Sequence, residues 1–138
     1  FYCEDIPQVL AECRRVLKNG GRFLCSTYGK QHMREITDLV QQFHKEIVLS
    51  AEVLYERFGL ENGENLLAPY FPEIQMRRYE DAIEIAEAEP LISYILSCHG
   101  NQNQLLLNQY KEFREFVSAR VADGFHITKD AGIFLCRK

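Results

Sequence analysis

The side chains best placed for chemistry in this sequence follow a short apolar run. Phe23-Leu24-Cys25 leads into Ser26-Thr27-Tyr28-Gly29-Lys30 and then His32. Such a run reads as a strand covered on both faces, as in parallel sheets. A strand of that kind feeds its last side chains into the crevice beyond its carboxyl end, where open α/β sheets bind ligands. Thr27, Tyr28 and His32, with Lys30, are therefore the candidate substrate pocket. His32 is the candidate general base, because an imidazole ordinarily titrates near neutrality. No carboxylate is visibly arranged to orient it, and the plainer reading is a solvated position in the first turn of the next helix.

The elements that must position this group lie just upstream. Asp5 is a helix-capping residue type, and Pro7 suits a first turn. Ile6, Val9, Leu10, Cys13, Val16 and Leu17 share one face at helical spacing. Arg14, Arg15 and Lys18 suit the negative end of the helix dipole. Gly20 and Gly21 supply the positive φ that ends the helix and turns the chain. Helix, turn and strand in that order make half of a parallel βαβ unit, so the Phe23 strand is expected beside a parallel neighbour.

At these residues the chain resembles a known family. Leu10-Ala-Glu-Cys-Arg-Arg-Val-Leu-Lys-Asn-Gly-Gly-Arg-Phe23 is similar to the helix, turn and fifth strand of class I S-adenosylmethionine-dependent methyltransferases. The group that includes the quinone-biosynthesis (type 11) enzymes shares the Arg-Val-Leu-Lys-x-Gly-Gly pattern. Ile127 to Lys138 resembles the final antiparallel hairpin strand of the same fold. The resemblance implies a truncated, Rossmann-like three-layer α/β sandwich with a mixed sheet and a C-terminal antiparallel strand. Residues 1–138 would be the C-terminal part of the domain, and residues 45–88 an insertion resembling a lid.

The resemblance also implies S-adenosylmethionine as cofactor and a small molecule as methyl acceptor. Phe1 and Tyr2 match the segment after the fourth strand that borders the cofactor in the intact enzyme. Those enzymes hold the cofactor with a glycine-rich loop after the first strand and an acidic residue after the second. This chain has no G-x-G, so by resemblance the loop lies upstream of Phe1 and these residues alone would have little activity. Methyl transfer from a sulfonium asks mainly for alignment and desolvation, so the lack of an obvious acid/base pair does not oppose the family.

Composition narrows the classes. Of 138 residues, 46% are hydrophobic and 26% charged, as in ordinary globular domains. Twenty acidic residues outnumber sixteen basic ones, for a net charge of −4, which disfavours nucleic acid as a partner. No apolar run is long enough to span a bilayer. Cys3, Cys13, Cys25, Cys98 and Cys136 form no C-x-x-C pair and read as buried free thiols of a cytoplasmic protein, with no metal site. Glu80, Asp81, Glu84, Glu87 and Glu89 read as a solvated face, or else as a site for a cation or amine. Tyr28, Tyr70, Tyr79 and Phe58 suit either a pocket lining or the core.

Periodicity predicts helices over 31–44, 87–98 and 102–123, and a short one over 66–71 stopped by Pro72. Residues 46–58 fit a further helix, with Ser50 as its cap. Strands are expected at 73–79, and at 125–128 and 132–137 around a Lys129-Asp130-Ala131 turn. Residues 82–86 read as a short strand or the onset of a helix, and the resemblance implies the strand. Two other readings stand beside the methyltransferase. One is a non-catalytic module that forms a homodimer through an exposed sheet edge. The other is a different nucleotide-dependent enzyme on a Rossmann-like sheet.

Overall fold

The computed structural model describes residues 1–138. Its elements run α1 (Ile6–Val16), β1 (Arg22–Tyr28), α2 (Arg34–Phe43), α3 (Leu54–Arg57), α4 (Gly63–Leu67), β2 (Glu73–Ile85), α5 (Ala88–Ser97), α6 (Gln102–Leu106), α7 (Tyr110–Val121) and β3 (Phe125–Arg137). The chain is a mixed α/β protein. α1 begins as its residues dictate: the Asp5 carboxylate accepts the Gln8 N–H at 2.8 Å, with Pro7 in the first turn. It ends at Val16, where Leu17 takes extended geometry (φ −69°, ψ 140°); Gly20, at φ +74°, lies in the turn beyond and does not cap the helix as expected, and Gly21 is not at positive φ. Of its apolar face, Leu10 is buried, whereas Val16 is 66% exposed.

The sheet has three strands in the order β1-β3-β2. β1 is antiparallel to β3, from Arg22 opposite Arg137 to Tyr28 opposite Ala131. β2 is also antiparallel to β3: Glu73 pairs with Arg137 at one end, and Glu84 with His126 at the other. β1 and β2 thus run in the same direction on either side of β3, without touching as neighbours. The parallel neighbour expected for the Phe23 strand is not in this sheet. Nor is that strand covered on both faces, since Leu24 is 53% exposed.

The residues gather into two compact units. The first comprises 1–32, 53–80 and 130–138. Its core is Leu10, Phe58, Leu60, Leu67, Phe71, Phe134 and Cys136, with Phe23 stacked on Phe71 at 5.3 Å. The second comprises 33–52 and 81–129. Its core joins Ile36, Leu39 and Val40 of α2, Leu91, Ile92 and Ile95 of α5, and Phe113, Val117 and Val121 of α7. Residues 45–88 contribute to both units.

Several elements differ from the sequence expectation. The two strands expected on either side of Lys129-Asp130-Ala131 are one continuous strand, because Asp130 is a buried, hydrogen-bonded strand residue and not a turn tip. Likewise 73–79 and 82–86 merge into β2, whose charged residues face solvent along its whole length. The long helix over 102–123 breaks between Leu106 and Tyr110, where Gln109 leaves helical geometry at φ −127°, ψ 18°. Only Leu54–Arg57 of 46–58 is helical, and Ser50 instead bonds the Glu52 backbone. The short helix sits earlier than expected, over Gly63–Leu67, and ends before Pro69.

Candidate functional site

The first unit carries the candidate site, around the carboxyl end of β1. The strand's alternation divides its last two side chains. Thr27 points into the core, 7% exposed, and its hydroxyl donates to the Phe58 carbonyl at 2.6 Å. It holds the chain that follows α3. Tyr28 lies on the opposite side, at the centre of a ring cluster. Phe1 meets it edge-on at 5.3 Å, Tyr55 edge-on at 6.4 Å, and His32 lies tilted against it at 5.1 Å. Tyr2 packs edge-on against Phe1 at 4.8 Å and leaves 79% of its surface in solvent.

A polar clamp fixes the turn that leaves β1. The Asp130 carboxylate is 6% exposed as a residue and accepts the Gln31 N–H at 3.2 Å. The Glu61 carboxylate accepts the Lys30 N–H at 3.3 Å. Arg78 reaches both acids, at 3.1 Å to Asp130 and 3.7 Å to Glu61. The Gly29 N–H donates to the Asp130 carbonyl at 2.9 Å, and the Gly29 carbonyl accepts the His32 N–H at 3.1 Å. A Cβ at position 29 would lie 2.3 Å from the Asp130 carboxylate, so the clamp requires glycine there. Lys30 itself extends into solvent. The His32 N–H is thus held by a rigid turn, and its imidazole lies against an aromatic ring.

Phe1, Tyr2, Tyr28 and His32, all named from sequence, therefore come together, whereas Thr27 does not. Sequence reading missed Tyr55, and it missed the Asp130–Arg78–Glu61 clamp. The signal available for the clamp was Gly29, a glycine at a strand end with ionisable neighbours. Tyr70 and Phe58 pack with the first core, Phe58 edge-on to Phe134 at 5.9 Å. Tyr79 stands on β2, 66% exposed. Clustered rings of this kind stack on planar groups and attract cations to their faces.

Burial, together with Cys136 and Cys13 nearby, pushes the Cys25 thiol up to about 12. Cys3 is exposed, against the expectation of burial. The acidic stretch is spread along β2 and α5, where Glu84 pairs with His126 and Glu89 with Arg114. No group of three or more His, Cys, Asp or Glu side chains is arranged to hold a metal ion. No helix is long and apolar enough to cross a membrane. No protein-family model matches the chain, and no curated protein matches its sequence.

Proposed function

We propose that these residues form the C-terminal part of an S-adenosylmethionine-dependent methyltransferase acting on a small molecule. The observation that carries this reading is the ring cluster at the end of β1. Four residues named from the sequence, Phe1 and Tyr2 by the resemblance and Tyr28 and His32 from their place after the apolar run, meet at the carboxyl end of β1, the kind of end beyond which open α/β sheets bind ligands. The direction of the strands agrees with it. β1 and β2 run alike with antiparallel β3 between them, as suits a fifth, a sixth and a final antiparallel strand.

In this reading the open ring of Tyr2, backed by Phe1, suits stacking against a planar base, and so the residues present fit the cofactor on one wall. When bound, S-adenosylmethionine supplies an activated methyl group on sulfur. Tyr28 and Tyr55 exclude water beside the acceptor. His32, held by the Gly29 turn, accepts the acceptor's proton. The clamp of Asp130, Glu61 and Arg78 keeps that turn from shifting.

The test is titration calorimetry of S-adenosylhomocysteine on the product of the complete open reading frame that encodes these residues. The reading expects micromolar binding, a dissociation constant about tenfold higher for Tyr2→Ala, and a lower kcat for His32→Ala. An enzyme that binds neither the sulfonium nor its demethylated product would refute it.

A second reading rests on a separate observation. β1 ends the sheet with one edge unpaired and Leu24 exposed, so a non-catalytic module could self-associate there. Leu24→Lys would then abolish assembly seen by light scattering, and a protein already monomeric would dispose of it.

A further inference from the structure

The opposite margin of the sheet carries a different message. β2 ends the sheet on its far side, runs for thirteen residues without a proline, and buries none of its side chains. An exposed edge of that length is a template for another strand. Charges along an edge usually deter such pairing, so their arrangement decides the outcome. Around Tyr79 the sequence reads Met76-Arg77-Arg78-Tyr79-Glu80-Asp81-Ala82. Basic residues precede the tyrosine and acidic residues follow it at matching distances.

We infer that β2 pairs antiparallel with β2 of a second copy of this chain, about a two-fold axis at Tyr79. In that register Arg77 faces Asp81 of the other copy, and Arg78 faces Glu80. Because a two-fold interface is isologous, each attraction occurs twice. Opposite charges directly across an antiparallel pair stabilise it, whereas like charges oppose it. A parallel pairing in register would set Arg77 on Arg77 and Asp81 on Asp81, so the charge order selects the antiparallel arrangement. Met76 then faces Ala82, and the two exposed Tyr79 rings cover each other. Arg78 already reaches Asp130 and Glu61, so Arg77 and Asp81 carry the selectivity. This inference is independent of methyl transfer and of the β1 edge.

Sedimentation velocity on the wild-type chain and three charge variants tests it. Both positions are exposed, and circular dichroism confirms that each variant keeps its fold. A dimer is expected for the wild type, weakened by added salt. Arg77→Asp and Asp81→Arg should each raise the dimer dissociation constant about tenfold or more, and the double variant should restore it. Tyr79→Cys should crosslink two copies through residue 79. A wild type that stays monomeric, single variants that assemble like wild type, a double variant without recovery, or a dimer lacking the residue 79 crosslink would each overturn the inference.

Discussion

β1 spans seven residues and turns Phe23, Cys25 and Thr27 toward a core, whereas β2 spans thirteen and buries no side chain at all. Both flank β3, and both leave an edge unpaired. Their chemistry differs because their partners within the fold differ. β1 is backed by α1 and by Phe71, so its alternation is apolar inward and its end is held by buried hydrogen bonds. β2 pairs with β3 and packs against the cores only at its ends, through Ile74 and Ile85, so most of its side chains between them face solvent. A strand of the first kind anchors a site; a strand of the second kind offers a surface. The contrast is sharpest in what substitutions should do.

The largest effect is expected in the core beneath β1. Phe134 is fully buried, opposite Cys25 and edge-on to Phe58, and its ring leaves no room for a Cβ at Gly63. Phe134→Ala should cost about 3–5 kcal/mol in urea unfolding. Tyr79→Ala on β2, assayed dilute enough to be monomeric, should stay within about 0.5 kcal/mol. Equal losses would break the contrast.

The clamp should give an intermediate loss. Asp130→Ala leaves the Gln31 N–H without its acceptor and Arg78 without its buried partner, at about 1–3 kcal/mol. It should also loosen the Gly29 turn, read as faster amide exchange at Gln31 and His32. A variant as stable as wild type, with unchanged exchange, would reduce the clamp to a surface ion pair.

The smallest effects are electrostatic and belong to the second unit. Partial burial would raise the Glu35 carboxyl, but hydrogen bonds from the Thr128 hydroxyl, its own backbone and the Thr128 N–H bring it below the usual 4.5. A carboxylate lowered in the folded state adds stability above its unfolded pKa, and that stability is lost as pH falls through the folded value. Thr128→Val should raise the Glu35 titration seen by NMR and move the acid unfolding limb to higher pH. His126 runs the other way. Its hydrogen bond with Glu84 raises it above 6.5, so its contribution is complete below that pH and fades as pH rises through the folded value. Both groups are well solvated, and the shifts in stability should be small.

What could be read from the sequence follows from where the signals are local. Asp5 and Pro7 announce the start of α1 within a few residues, the two glycines announce the turn after it, and the apolar run announces β1. Tyr28 and His32 inherit their position from that strand. Asp130 and Tyr55 gave no such sign, because their roles depend on chain segments far apart in sequence. A lysine-aspartate pair flanked by apolar runs looks like a turn until a distant arginine is known to neutralise the aspartate. β2 was cut in two for a related reason. Its charges interrupt the apolar alternation, although its backbone continues unbroken.

The claim on which the functional account rests is that the rings at the end of β1 wall a cofactor site. Calorimetry of S-adenosylhomocysteine on the complete gene product, with Tyr2→Ala and Tyr28→Ala beside the wild type, addresses it most directly. The account predicts micromolar binding by the wild type and affinity reduced about tenfold by Tyr2→Ala. No binding, or binding that both alanine variants leave unchanged, would contradict it.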